Sequence, residues 1–222
     1  MEQLKISSLW PDLSHTMAAP LLSGVTYPWE VLKKISDFIL ELGATLPKDE
    51  YDQVSEGVWV AKSAKVAPTA YLGAPCIIGP ETEVRHCAFI RGSALVGAGC
   101  VVGNSVELKN CILFDGVQTP HYNYVGDSIL GYRSHMGAGS ITSNVKSDKT
   151  NVSITVDGEK LETGCRKMGA MLGDFVEVGC NSVLNPGTVI GSHSNVYPTS
   201  SVRGYIPANS IYKKRGEIAE KY

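Results

Sequence analysis

Charge is scarce in this sequence. Only 19% of its 222 residues are Asp, Glu, Lys or Arg, and they leave a net charge of −2. A protein that grips a nucleic-acid backbone needs a basic excess, so no nucleic-acid partner is expected. No apolar run approaches a membrane span. The start, Met1-Glu2-Gln3-Leu4-Lys5, lacks the apolar core of a signal peptide. A cytoplasmic protein with no membrane partner is the expectation. The six cysteines, Cys76, Cys87, Cys100, Cys111, Cys165 and Cys180, form no CxxC pair and no metal-ligand spacing. They read as small, reduced core or surface residues.

What the sequence does have is a period. Every sixth residue from Val60 is apolar: Val60, Val66, Leu72, Ile78, Val84, Ile90, Val96, Val102, Leu108 and Phe114. Ten such hits by accident would have odds on the order of one in a million. The fifth place of each repeat is small or β-branched, as at Ala64, Cys76, Thr82 and Cys100, and the second is often Ala or Gly. The pattern resumes at Leu172 and runs through Val178, Leu184, Ile190, Val196 and Val202, with Leu130 and Met136 in step between the two runs.

A period of six fits neither a helix nor simple alternation. It suits a short strand and a tight corner, three of which close a triangular coil of eighteen residues. About nineteen repeats give about six coils. The expected fold is all-β, a parallel β-helix with a small N-terminal helical cap and a projecting β-hairpin. Residues 1–56 form the cap, 57–207 the β-helix and 208–222 a C-terminal tail. The hexapeptide pattern resembles the hexapeptide-repeat acyltransferases, and left-handedness is what that resemblance implies.

Two stretches break the period: Gln118 to Asn123, and an excursion spanning 143–167. Within the excursion, alternation on both sides of Asp157-Gly158 reads as a hairpin. It either covers a neighbouring subunit's site or is a tolerated insertion. Ahead of the repeat, Val31, Leu32, Ile35, Phe38, Ile39 and Leu42 share one face of a helix from Pro28 to Leu42. Pro28 suits its first turn and Gly43 its stop. This stripe packs on the first coil or on a partner chain. With Trp10, Tyr27 and Trp29 nearby, the region is a candidate cap for the open end of the prism.

Arg91 and Lys109 lie eighteen apart, one full coil, each where Gly or Ala is the habit. Two cations that close repel unless an anion lies between them. Either a phosphate ligand sits there or both are solvated surface cations. His121, in the first break, is either structural or a general base. Tyr124 and Asn144 are polar groups able to orient a substrate, and Gly137-Ala138-Gly139 offers bare backbone.

The runs Val102 to Lys109, Pro120 to Asp127 and Gly137 to Asn144 together resemble the acetyltransferase half of the bacterial bifunctional enzyme that makes UDP-N-acetylglucosamine. The likeness spans roughly Phe89 to Val202. It implies that His121 takes a proton from a sugar amine, that Arg91 and Lys109 hold a sugar phosphate, and that Lys149 joins them. It further implies that Tyr124 and Asn144 contact the sugar and that Ala138 lies by acetyl-CoA. His135 replaces the family's asparagine beside the sugar, and Cys180 replaces a serine near the thioester. The histidines, His15, His86, His121, His135 and His193, include no pair five apart, the spacing that holds zinc in γ-type carbonic anhydrases. No metal site is expected.

The expectation is therefore a homotrimeric N-acyltransferase using acetyl-CoA on an amino-sugar phosphate. It would be a pyrophosphorylase-related chain lacking the nucleotidyltransferase domain. A non-catalytic binding module for sugar phosphates or nucleotide sugars is the alternative. A nucleotidyltransferase is disfavoured, because no G-x-G-T-R-like phosphate loop follows a first strand.

Overall fold

Within a three-residue strand the outer two side chains point one way and the middle one the other. In Cys76–Ile78 and Ala94–Val96 all three positions are apolar and buried, so each such strand needs cover on both sides. The computed structural model, which describes residues 1–214 and 216–221, supplies both covers. Inside is the core of a left-handed parallel β-helix; outside is the N-terminal segment.

The coil has three faces. The first runs from Val58–Ala61 through Cys76–Ile78 and Ala94–Val96 to Ala170–Leu172, Thr188–Ile190 and Tyr205–Ile206. The second runs from Lys65–Val66 to Ser210–Lys214, where Glu217–Glu220 adds an antiparallel strand. The third runs from Tyr71–Leu72 to Ser201–Val202. Two long strands, Glu107–Leu113 and Tyr124–Leu130, turn a corner and serve the third and first faces in succession.

Eight rungs stand on the first face, against the six coils expected. The difference has two causes. Leu113 pairs with Val96 and Leu130 with Leu113, so these coils have 17 residues, not 18. In addition, Thr119 and Thr142 occupy interior positions, paired with Val102 and, through Tyr124 and Ile141, aligned with Val125. Both are fully buried, and their hydroxyls bond Val101 O and Gly126 N–H. Interior threonines and a one-residue slip hide these coils from a count of aliphatics.

The middle residues of the first face, Ile77, Leu95, Ile112, Ile129, Met171 and Val189, are all buried. Each is worth roughly 1.5–3 kcal/mol if kept from water. The N-terminal segment covers them. It runs along the prism and does not cap its open end. Trp10 packs on Phe114 with ring centroids 5.2 Å apart, and Ser192 Oγ donates to Leu9 O. At the other end lies the Ile35–Thr45 helix, preceded by a 3-10 turn at Pro28–Val31. Gly43 does not end that helix. A Cβ there would collide with the indole of Trp59, so its role is close approach.

The hairpin pairs Ser153–Val156 with Glu159–Glu162, and Asp157 and Gly158 take positive φ at its turn. It leaves the prism and then folds its apolar edge back. Val152, Ile154 and Val156 are buried, and Val152 and Ile154 pack over Gly187. No helix among the described residues is long and apolar enough to cross a membrane.

Candidate functional site

Parallel rungs carry residues 17 apart onto one another, and this spacing assembles two columns flanking the third face. On the corner between the second and third faces, His121, Ala138 and Cys180 occupy successive rungs. Gly139 N–H donates to His121 O at 3.0 Å, and Asn181 N–H donates to Ala138 O at 2.8 Å. Rungs stand roughly 4.8 Å apart. His121 and Cys180 are exposed.

The backbone explains why His121 stands there. A Cβ on Gly103 would overlap the Pro120 carbonyl, so only glycine lets the loop cross this corner. Tyr122 takes a φ of 52°. Asn123 is buried and pins the turn: its Oδ1 accepts from His121 N–H at 3.1 Å, and its Nδ2 donates to Gly137 O at 2.8 Å and Ser140 O at 3.1 Å. Gly137 and Gly139 do not offer free donors as their bareness suggested. Their N–H groups are bound to Val178 O and His121 O. Among the described residues nothing accepts from Ala138 N–H, which stands between them.

The second column lies on the corner between the third and first faces. Asn110, Asp127 and Asn144 follow one another at 17-residue spacing. Asp127 is buried yet accepts from Lys109 Nζ on both oxygens, at 2.9 and 3.0 Å, from Asn110 at 2.8 Å and from Asn144. Asn144 Nδ2 also donates to Tyr124 Oη at 3.1 Å. Burial first, then the negative charges of Asp127 and Glu107, push the Tyr124 phenol above its ordinary value. Gly126 is required beneath it, since a Cβ would meet the phenol oxygen. Arg91 and Lys109 do stack a rung apart, as their spacing predicts. No external anion is needed between them, because Arg91 pairs with Glu107 at 2.8 Å and Lys109 with Asp127. The N-terminal segment closes over this corner: Asn110 Nδ2 also donates to Leu32 O at 3.1 Å.

Lys109, Tyr124 and Asn144 thus form one network through Asp127, with the Arg91–Glu107 pair beside it. His121, Ala138 and Cys180 form another, at the opposite edge of the same face. His135 belongs to neither. It lies on the second face, paired in register with Gln118, roughly 10 Å along the strand from Ala138. Its Nδ1 is 2.8 Å from Glu177 Oε2. Lys149 is exposed on the excursion, and its side chain has no partner among the described residues. Asn123, Glu107 and Asp127 were missed in the sequence; a scan at 17 rather than 18 residues aligns Asn110, Asp127 and Asn144. Among the described residues no group of three or more His, Cys, Asp or Glu side chains is placed to hold a metal.

The family model described as GMPPB C-terminal domain matches residues 75–211. The chain belongs to that family. It is 29% identical over 217 residues to the bifunctional protein GlmU of Methanococcus maripaludis, covering 97% of this chain and 50% of the relative. It is 32% identical over 102 residues to a bifunctional sugar-1-phosphate nucleotidylyltransferase/acetyltransferase of Sulfurisphaera tokodaii, covering 46% of this chain and 25% of the relative. The chain spans half or less of the length of both. Of solved structures, a hexapeptide transferase family protein from Anaplasma phagocytophilum aligns with a TM-score of 0.40 at 12% identity, covering 75% of this chain and 81% of that one. A likeness that loose says nothing of chemistry. The family match agrees with the resemblance carried by the motifs around Lys109, His121 and Asn144.

Proposed function

We propose that this GMPPB C-terminal domain protein is an acetyl-CoA-dependent N-acyltransferase acting on an amino-sugar phosphate. The observation that carries the reading is the column of His121, Ala138 and Cys180, in register on one corner with His121 and Cys180 exposed. His121 takes a proton from the sugar amine. The amine nitrogen then attacks the thioester carbonyl carbon, and the C–S bond breaks as the amide forms. The CoA thiolate leaves and takes up a proton. Ala138 N–H is the backbone donor able to meet the developing oxyanion. The acetyltransferase named in the Sulfurisphaera relative supports acyl transfer as the chemistry.

Tyr124 and Asn144 orient the sugar in this reading, with His135 and Lys149 as outlying contacts. Arg91 is able to exchange Glu107 for a phosphate, because an exposed ion pair is worth at most about 1 kcal/mol. The two columns stand at opposite edges of one face. A homotrimer, with the His121 column of one prism facing the Asn144 column of the next, brings them together. Light scattering that gives a clean monomer would sink that arrangement.

A second reading has its own support. His135 and Cys180 stand where the resembled family has asparagine and serine, which favours a sugar-phosphate or nucleotide-sugar binding module without turnover. Thiol release from acetyl-CoA decides between the two. The protein would be mixed with glucosamine 1-phosphate and a panel of other amino-sugar phosphates, beside a His121→Ala variant. The acyltransferase predicts release that needs both substrates and falls about 10²- to 10⁴-fold in the variant. No release from the folded protein across the panel would establish the binding module instead.

A further inference from the structure

The hairpin does more than turn the chain around. One and two rungs beyond Asn144 on the same corner, its Ser153–Val156 strand and the last coils enclose a cavity of about 540 Å³. Lys146, Thr155, Asn185, Ser201, Arg203 and Tyr205 contribute to its wall, and among the described residues no aspartate or glutamate does. The contrast with the Asp127 network is one of charge. There each cation has a carboxylate; here Arg203 has no ion-pair partner among the described residues. Among the described residues Lys146 is shared only with Thr150 Oγ1 at 2.6 Å and with Asp148 at 3.3 Å, the side chains of Lys146 and Asp148 being 25% and 57% exposed. A pair whose carboxylate is mostly in solvent is readily exchanged.

We propose that this cavity is a binding site for a phosphorylated sugar, with Arg203 and Lys146 taking the phosphate. Arginine's planar fork matches phosphate oxygens two at a time. The hydroxyls of Ser201, Thr155 and Tyr205 and the amide oxygen of Asn185 supply short-range partners for sugar hydroxyls, the Asn185 Nδ2 already donating to Ser201 Oγ at 3.0 Å and Val202 O at 2.8 Å. Burial raises the Tyr205 phenol, opposed by a hydrogen bond with the Ala208 backbone and aided by the charge of Asp157 at the hairpin turn, and its proton stays available for donation. Asp157 itself accepts from Gln3 Nε2 at 3.4 Å. The volume lies within the range of small-ligand sites, and a bare inorganic anion would leave most of it empty. The hairpin then has a purpose its sequence does not state: it is the wall of a ligand cavity.

This inference does not rest on acetyl transfer. Binding is read without acetyl-CoA, so absent thiol release leaves it standing. The experiment is calorimetric titration of the wild-type protein with glucosamine 1-phosphate, and with glucosamine and inorganic phosphate as separate arms. Wild type should bind the sugar phosphate at least about tenfold more tightly than either fragment. Arg203→Gln should weaken it about tenfold or more, Lys146→Gln by a smaller factor, and Arg203→Lys should fall between wild type and Arg203→Gln. The intermediate Arg203→Lys value separates a lost phosphate contact from a folding defect. No binding by wild type would overturn the proposal. So would unchanged binding in Arg203→Gln, or a loss confined to Arg91→Gln, which would move the phosphate to the other cluster.

Discussion

Trp10 donates its indole N–H to the carbonyl of Leu172 at 2.9 Å, joining residues 162 positions apart. The same carbonyl accepts from Gly131 N–H, so the indole adds a bond to a group already satisfied. The rest of Trp10 fills space against Phe114. These two roles separate by mutation. Trp10→Phe keeps most of the volume and should cost about 1 kcal/mol, the net worth of one hydrogen bond. Trp10→Ala should cost about 3–5 kcal/mol. Chemical denaturation measures both. Limited proteolysis should cut the alanine variant first within residues 1–45 while the prism stays intact. Equal costs for the two variants would mean that the hydrogen bond, not the packing, holds the segment.

The pair Lys109 and Asp127 should respond asymmetrically. Asp127 is buried, whereas 26% of the Lys109 side chain is exposed. Lys109→Met strands a buried charge on two amide donors and should cost on the order of 3 kcal/mol. Asp127→Asn leaves a cation that can swing into water, and asparagine tolerates the φ of 49° at this position. Its cost should be smaller, about 1 kcal/mol. The double variant should be more stable than Lys109→Met alone, a coupling that a double-mutant cycle reads directly. Additive losses would show that Lys109 does not neutralise Asp127.

Those energies bear on what was readable beforehand. Ten apolar residues at sixfold spacing identify a solenoid because eight of them are buried, with Leu72 half-buried and Val66 exposed on the early coils. Asp157-Gly158 identifies its hairpin because two successive positive φ values favour such a pair. The coil count failed where Leu113, not Phe114, took the interior place and where threonines stood in for aliphatics. The course of the N-terminal segment left no mark in the segment itself. Its signature lay in its partner, in the outward-facing Ile77, Leu95, Ile112, Ile129, Met171 and Val189. An exposed solenoid face would not carry six aliphatics in a line. Gly43 misled because a glycine near a helix end looks like a stop until Trp59 is known to lie against it. At the candidate site, His121 was legible from motif, whereas Glu107 and Asp127 were not. Their partnership with Arg91 and Lys109 depends on register across coils, and the 17-residue slip lies among those coils.

The cysteines offer a test of register and site together. Cys76, Cys100, Cys111 and Cys165 are buried, whereas Cys87 and Cys180 are exposed. Burial pushes the Cys76 and Cys100 thiols up to about 12 and raises Cys111 and Cys165 as well. Since only the thiolate reacts, the four buried thiols are protected by both access and ionisation. Iodoacetamide on the native protein near neutral pH should therefore modify two of the six cysteines, Cys87 and Cys180, by peptide mapping. Early labelling at Cys100 or Cys111 would contradict the rung assignment. The two exposed thiols then divide by function. Cys180 stands in the His121 column and Cys87 does not. Alkylating a Cys87→Ser variant should block thiol release from acetyl-CoA, and saturating acetyl-CoA should slow the block. If alkylated Cys87→Ser protein kept full activity, the thioester would lie elsewhere and Cys180 would lose its place in the site.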